Sequence, residues 1–294
     1  MKSGFVAIIG RPNAGKSTLL NSILERKVAI ISDKPQTTRN RITGILSRED
    51  AQIIFLDTPG IHKPKHKLGQ YMVDIAQTTL EEVDVIYYMV DASVSFGSGE
   101  EYIINKLEKV KTPIFLILNK TDLLKEEQIL STIAQWQNRR EFQEVFPISA
   151  LRGENINRLV EKTVEILPEG PKYYPDDAVT DQPEQVVISE LIREKILHLT
   201  REEVPHSIAV VIDLMQKRRN NTIYLGATIF VERDSQKGII IGRKGELLRQ
   251  IGSLARKDIE VLLGNKVYLE LWVKVKEDWR NRENILRNLG YQDY

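Results

Sequence analysis

Gly10-Arg11-Pro12-Asn13-Ala14-Gly15-Lys16-Ser17-Thr18 sets two glycines, a lysine and a hydroxyl in the pattern G-x-x-x-x-G-K-[ST]. Each residue type has a use. The glycines let the backbone curl until several N–H groups converge on phosphate oxygens. The helix expected to begin here adds partial positive charge at its N-terminus. Lys16 can reach a β- or γ-phosphate, and the Ser17 hydroxyl can ligate Mg²⁺.

Two further motifs fit the same ligand. Asp57-Thr58-Pro59-Gly60 offers a carboxylate for the Mg²⁺ shell and, at Gly60, an N–H that can approach a terminal phosphate closely. Asn119-Lys120-Thr121-Asp122 offers an aspartate able to accept two parallel hydrogen bonds from the ring N–H and exocyclic amine of guanine; adenine lacks that pair of donors. Ser149-Ala150-Leu151 can supply a backbone N–H to the guanine carbonyl oxygen. Read singly, the second motif is also good turn chemistry and the third a plausible helix cap. Their order along one chain makes them a nucleotide site.

A different chemistry lies near the C-terminus. Lys237-Gly238-Ile239-Ile240-Ile241-Gly242-Arg243-Lys244-Gly245 is expected to form a Gly-x-x-Gly loop between an apolar turn and a helix, with its backbone against nucleic-acid phosphates. From Lys237 to Lys257 there are six basic residues, Arg249 among them, and one acidic residue, a local net charge of +5. Residues 181–294 carry only +2, so the charge is focused. Lys217-Arg218-Arg219, at an expected hairpin tip, adds a second basic patch. Few aromatic platforms are evident, so recognition should rest on hydrogen bonding rather than stacking.

These motifs need elements to hold them. Apolar β-runs at Phe5–Ile9, Gln52–Leu56, Val85–Val90, Ile114–Leu118 and Val145–Ile148 alternate with helical patterns at Ser17–Leu24, Leu68–Glu82, Gly99–Val110, Glu126–Glu141 and Ile156–Ile166. Strands apolar on both faces, alternating with helices, predict a mostly parallel sheet covered on both sides. The nucleotide motifs all fall at strand C-termini, where open α/β sheets bind ligands. The proline-rich stretch 171–183 is expected to connect a first domain, 1–170, to a second, 184–294. The second reads as helix (Gln185–Glu203), two strands (Ser207–Lys217 and Thr222–Arg233), the glycine-flanked loop, helix (Glu246–Leu263), strand (Lys266–Val275) and a helical tail, Asp278–Leu289, capped by Gly290.

Composition bounds the rest. The 294 residues are 41% apolar and 28% charged, enough for packed cores, and 42 basic against 41 acidic residues leave a net charge of +1 that names no partner. The absence of cysteine excludes disulfides, thiolate metal sites and a cysteine nucleophile, and favours a reducing cytosol. No apolar run approaches the roughly 18 residues of a membrane span.

Phosphate loop, Asp-x-x-Gly, Asn-Lys-x-Asp and Ser-Ala, in that order over residues 4–168, resemble the GTPase superfamily, whose ligands are GTP/GDP and Mg²⁺. Adding a C-terminal KH domain of the bacterial type, with Gln36-Thr37-Thr38-Arg39 and Asp57-Thr58-Pro59-Gly60-Ile61 standing as quoted, the chain resembles the Era family of bacterial GTPases. The resemblance implies an α/β P-loop domain, mostly parallel with helices on both faces, followed by an α+β KH domain. It implies that Thr38, with Thr37 as the alternative, closes over Mg²⁺ beside Ser17 and Asp57, and that Lys16, Thr38 and Gly60 serve hydrolysis. Ras-like enzymes place a water-orienting glutamine where this chain has Ile61, so unaided hydrolysis should be slow. The missing charge would come from K⁺ held against Asn13 or from a partner surface. The implied partners are the single-stranded 3′ region of small-subunit (16S) ribosomal RNA and the small ribosomal subunit. A cytoplasmic location with peripheral contact on the inner membrane face, and no obligate oligomer, are implied as well. Two rivals stand beside this reading: an RNA-binding scaffold with a weakly hydrolytic nucleotide domain, and a signalling GTPase acting on protein or membrane.

Other residues are expected to be bland. His62 and His66 belong to a solvated loop, Glu100 and Glu101 to the surface, and Trp136, Trp272 and Trp279 to core or interface.

Overall fold

The computed structural model describes residues 1–218 and 221–291. It divides into two compact units, the first comprising Met1–Ile31, Pro35–Lys65 and Gly69–Asp181, the second built on the chain from Gln182 onward.

The first unit is a six-stranded sheet. Its strands are β1 (Lys2–Gly10), β2 (Ile42–Ser47), β3 (Ala51–Asp57), β4 (Val85–Asp91), β5 (Ile114–Asn119) and β6 (Glu144–Pro147), in the order β2-β3-β1-β4-β5-β6. All pairings are parallel except β2 with β3. Helices α1 (Lys16–Leu24), α2 (Lys67–Thr78), α3 (Ser98–Leu107), α4 (Glu126–Gln137) and α5 (Ile156–Ile166) connect them. Two buried clusters lie on the sheet's opposite faces: Val6, Ile8, Phe55, Tyr87 and Phe115 in one, Ala7, Ile9, Ile54, Tyr88 and Leu116 in the other. Consecutive strand residues point to opposite faces, so a strand buried on both reads as an unbroken apolar run.

The antiparallel strand β2 is an addition to the five strands expected. Thr43, Gly44 and Ser47 break its apolar pattern. Gly44 is required there because a Cβ would stand 2.5 Å from Leu20 Cδ1 and 2.7 Å from Leu24 Cδ1. Helix α1 packs against bare backbone. The stretch 171–183 is bound to this sheet rather than hanging free. Gln52 Oε1 accepts from the Tyr173 and Tyr174 amides at 2.7 and 3.0 Å, the Ile45 amide donates to the Val179 carbonyl at 2.8 Å, and the Thr180 hydroxyl donates to the Thr43 carbonyl at 2.7 Å.

The second unit has a three-stranded sheet, β7 (Ala209–Lys217), β8 (Ile223–Val231) and β9 (Val267–Val275), in that order. Strands β7 and β8 are antiparallel with an irregularity between Ile212 and Leu214; β8 and β9 are parallel. Helices α6 (Glu184–Leu199), α7 (Asp234–Ile241) and α8 (Glu246–Leu263) accompany the sheet, and a short α9 (Glu283–Asn288) follows. The segment expected as an apolar turn, Lys237–Ile241, is the end of α7, so Gly238 lies inside a helix and the loop is confined to Gly242–Gly245. A glycine within a helix carries the same one-letter signal as a loop glycine. The C-terminal tail is less regular than expected: a 3₁₀ turn at Trp279–Asn281 precedes α9. Trp279 is fully buried and donates from Nε1 to the Ser207 carbonyl at 2.9 Å. Trp136 is buried too, whereas Trp272 is 43% exposed on β9 and so is not a core residue.

Candidate functional site

Strand register gathers the nucleotide motifs. Ile8 pairs with Asp57, Gly10 with Met89, and Asp91 with Asn119, so the carboxyl ends of β1, β3, β4 and β5 lie side by side. Ile42 pairs with Asp57, which brings the loop preceding β2 to the same end. The phosphate loop follows β1, on whose two sides β3 and β4 lie; this reversal of strand order opens the crevice where doubly wound sheets bind ligands.

At the phosphate loop, Lys16 is buried and Nζ donates to the carbonyls of Arg11 at 3.1 Å and Gly10 at 3.4 Å. Burial holds its pKa below the usual lysine value, partly countered by the charges of Asp57 and Glu100. Ser17 Oγ donates to Asp57 Oδ2 at 2.7 Å and lies 3.0 Å from Thr38 Oγ1. With the Ser17 proton directed at Asp57, the Thr38 hydroxyl donates to Ser17. Thr38 shares in this cluster of hydroxyls and is buried. Asp57 is fully buried, and its Oδ1 has no hydrogen-bond partner. Burial pushes its carboxyl up to about 6, although the Lys16 charge and hydrogen bonds from Ser17 and Thr58 pull it down. A buried carboxylate oxygen without a partner, next to two hydroxyls, is a hard-oxygen donor set that fits Mg²⁺.

The Asp-x-x-Gly motif is tied to the phosphate loop. Thr58 Oγ1 donates to the Ile8 carbonyl at 2.9 Å and the Ile61 amide to the Gly10 carbonyl at 3.0 Å. A Cβ at position 60 would stand 2.6 Å from the Pro12 nitrogen, so only glycine fits against that loop. Ile61 turns its side chain into the apolar core beside α2 and α3. His62 is not simply solvated, as expected: Nδ1 lies 2.8 Å from the Gly60 carbonyl oxygen and Nε2 3.5 Å from Gln36 Nε2, linking both loops. Asn13 adopts a left-handed backbone, φ 64°, which asparagine tolerates.

At the base end, Asn119 is structural glue. Nδ2 donates to the Ala14 carbonyl at 2.8 Å, and Oδ1 accepts from the Ala150 amide at 2.9 Å, joining the phosphate loop to the Ser149–Leu151 loop. Ser149 Oγ donates to Asp122 Oδ1 at 2.7 Å. Lys120 Nζ is 2.5 Å from Asp91 Oδ2. Burial alone would raise the Asp91 pKa, but hydrogen bonds from Lys120 and Ser93 hold it below the usual carboxylate value. Leu151 projects outward, 79% exposed.

Sequence reasoning missed Asp91, whose role depends on a partner 29 residues away. It also misread Glu100. That side chain is buried, accepts a hydrogen bond from the buried Tyr88 hydroxyl and sits 3.8 Å from the Arg11 guanidinium. Burial raises its pKa, with Tyr88 and Arg11 opposing.

The second unit has its own cleft. A cavity of about 540 Å³ between α8 and β9 is lined by Gly245, Arg249, Gly252, Ser253, Arg256 and Tyr268 among others. Arg249, Gly252, Ser253 and Arg256 stand at i, i+3, i+4 and i+7 and so share one face of α8, which Gly245 precedes. Helix and strand approach closely at Gly252, where a Cβ would be 3.4 Å from Leu271 Cδ1. Strand β9 is an edge strand, its backbone unpaired on the side away from β8. At the mouth, Gly242 (φ 72°), Lys244 (φ 50°) and Gly245 (φ 78°) are all left-handed. The Gly242 backbone is extreme in ψ as well, −178°, a combination that only glycine adopts readily. Arg243 and Lys244 therefore sit on a sharply turned loop at the start of α8. Lys217 and Arg218 lie at the β7–β8 turn; Arg219 lies outside the described residues. Lys237 and Ile241 lie on α7. No helix among the described residues is long and apolar enough to cross a membrane.

A family profile described as "50S ribosome-binding GTPase" matches residues 5–120, and a KH domain profile matches residues 203–280. The crystal structure of Era in complex with MgGDPNP and nucleotides 1506–1542 of 16S ribosomal RNA is similar at 45% identity, covering 100% of both chains with a TM-score of 0.97. This chain belongs to the Era family. A variant of Era from Aquifex aeolicus bound to GDP and AlF₄⁻ is similar at 45% identity over 100% of both chains, TM-score 0.96. The two units are thus the GTPase and KH domains of an Era-family protein. Its activity is GTP hydrolysis, with Mg²⁺ as the cofactor.

Proposed function

We propose that this Era-family GTPase is a nucleotide-controlled RNA-binding switch that holds the single-stranded 3′ region of 16S ribosomal RNA in its α8/β9 cleft and assists small-subunit assembly. The observation that carries the switch is the Ser17–Asp57–Thr38 cluster: Thr38 comes from a loop remote in sequence, and the same hydroxyls that hold it are those a nucleotide-bound metal would engage.

In this reading the phosphates lie on the amides of Gly10–Thr18, together with those of Thr58–Gly60. Lys16 leaves the Gly10 and Arg11 carbonyls for the β- and γ-phosphates, whose charge opposes the lowering of its pKa by burial. Ser17, Thr38 and Asp57 hold Mg²⁺, which neutralises charge developing on the phosphate oxygens. Asp122 reads the guanine edge, Lys120 and Asn119 frame it, and the Ala150 and Leu151 amides meet its carbonyl oxygen. Gly60 presents its N–H to the γ-phosphate, and water attacks in line to give GDP and phosphate. Ile61 points into the core and cannot orient that water, so intrinsic turnover is slow, and charge from K⁺ near Asn13 or from a partner accelerates it.

RNA phosphates lie against Gly242–Gly245 with Arg243 and Lys244, helped by Lys237, Gly238, Ile241, Arg249 and the Lys217–Arg219 tip. Unpaired bases enter the cleft, where the open edge of β9 offers hydrogen bonds. The cysteine-free composition suits a cytoplasmic protein, with peripheral membrane contact as a secondary association. The decisive experiment titrates a fluorescent oligonucleotide of the 16S 3′ end into protein saturated with a non-hydrolysable GTP analogue or with GDP. Tighter binding with the analogue is expected; equal affinities would remove the switch.

A further inference from the structure

The outer rim of the RNA cleft carries an arrangement that the cleft itself does not need. Tyr268 lines the cleft from β9 and remains 51% exposed. Its cross-strand neighbour in register is Tyr224 on β8, and the two rings stack with centroids 5.8 Å apart at an interplanar angle of 16°. The Arg218 guanidinium lies 4.7 Å from the centroid of Tyr224 and 5.7 Å from that of Tyr268. The Tyr224 hydroxyl donates to Glu270 Oε2 at 2.7 Å, which fixes the ring's orientation. Two parallel rings under a guanidinium therefore form a rigid unit at the sheet edge. Tyr224 covers one face of Tyr268, and the other is left to solvent at the cleft.

We propose that Tyr268, backed by Tyr224 and Arg218, is a stacking platform for one RNA base immediately outside the nucleotides held in the cleft. Three observations converge on RNA as the occupant. The platform is continuous with the cleft through Tyr268 itself. The Arg218 guanidinium over its rings suits a phosphate backbone passing the rim. An aromatic face accepts any base, because every base has a π-face. Glu270 accepts the Tyr224 hydroxyl, which ties its charge to the platform instead of leaving it to face the strand. A KH groove clamps about four nucleotides, so the platform predicts a footprint longer than the groove. It also supplies stacking where the amino-acid pattern led us to expect hydrogen bonding alone. The inference rests on the RNA-binding reading above and adds a subsite to it.

The test compares single-stranded RNAs of four and eight nucleotides from the 16S 3′ region, bound to the full chain with Mg²⁺ and a non-hydrolysable GTP analogue and read by fluorescence anisotropy. The wild type should bind the longer RNA more tightly. Tyr268→Ala should weaken the longer RNA about five- to a hundredfold, the range that base–aromatic stacking supplies, and shift the shorter by less than twofold. Tyr268→Phe should retain the longer-RNA affinity. Tyr224→Ala, which removes the supporting ring from outside the cleft, should weaken the longer RNA selectively. Thermal unfolding of each variant checks the fold, and the exposure of Tyr268 makes its truncation tolerable. Equal loss on both RNAs with Tyr268→Ala, no effect of Tyr224→Ala, or wild-type affinities independent of length would each overturn the platform while leaving RNA binding in place. A wild type that binds neither RNA would remove the RNA-binding reading and the platform with it.

Discussion

Replacing Asp57 by asparagine should make the protein more stable and useless. Asp57 is fully buried with one oxygen unpartnered, and its carboxyl is pushed from 3.8 up to about 6. A raised acid pKa means that the folded state binds the proton more tightly than the unfolded chain does. The carboxylate therefore costs nothing well below the unfolded pKa, and its cost grows through the window from about 4 to about 6 and is complete above it. At about 1.36 kcal/mol per pKa unit, the full cost is about 3 kcal/mol, and at about pH 4.5 it is only about 1 kcal/mol. Asparagine keeps the shape and an acceptor for Ser17 while deleting the charge. Because the shift already includes the attraction of Lys16, loss of that attraction is counted. The assay is urea unfolding of the full chain, free of nucleotide and metal, at about pH 7.5 and about pH 4.5. The transition of the first domain is followed through Trp136, that domain's one tryptophan, in a background where Trp272 and Trp279 are replaced by phenylalanine. The excess stability of Asp57→Asn should be about 3 kcal/mol at the higher pH and shrink to about 1 at the lower, while Mg²⁺-dependent GTP binding falls by at least tenfold. An excess that is absent, or that does not change with pH, would refute the account of Asp57 as a strained metal ligand.

Three further outcomes follow from the sites. Lys16→Ala removes the cation bonded to the Gly10 and Arg11 carbonyls, and calorimetry should show triphosphate binding weakened by a hundredfold or more. Asp122→Asn should turn base preference from guanine toward xanthine in competition binding; unchanged preference would exclude Asp122 as the base reader. Gly242→Asp places a Cβ 2.9 Å from Leu247 Cβ on a left-handed backbone and adds negative charge at the loop, so RNA affinity should fall at least tenfold while GTP affinity, measured in parallel, holds.

The sheet was legible where burial is symmetrical. Strands β1, β3, β4 and β5 are apolar on both faces, and α5 begins and ends where its periodicity does. Motif order placed the phosphate and base loops because each needs only its own strand end. What escaped depends on partners remote in sequence. Strand β2 is held by β3 and by the bare backbone of Gly44 under α1. Glu100 and Glu101 look alike until Tyr88 and Arg11 select the first for burial. Gly238 reads as loop, although α7 runs through it. Tyr268 and Trp272 alternate with apolar residues on β9 as core aromatics would, yet they lie on the exposed face of the sheet, opposite the buried Val267 and Val273.

The strip of chain bound along β2 has a consequence for solubility. A long, straight outer strand is a template on which further copies can polymerise. In the first domain, one flank is shielded by the Val179–Thr180 segment, and the other, β6, is only four residues long. In the second, β7 is kinked beside Asp213. Among the described residues, strand β9 stays in unbroken register over nine residues with its outer side open, so occupancy by a nucleic-acid strand would also guard this protein against self-association, and molecules deprived of RNA should be the ones that clump.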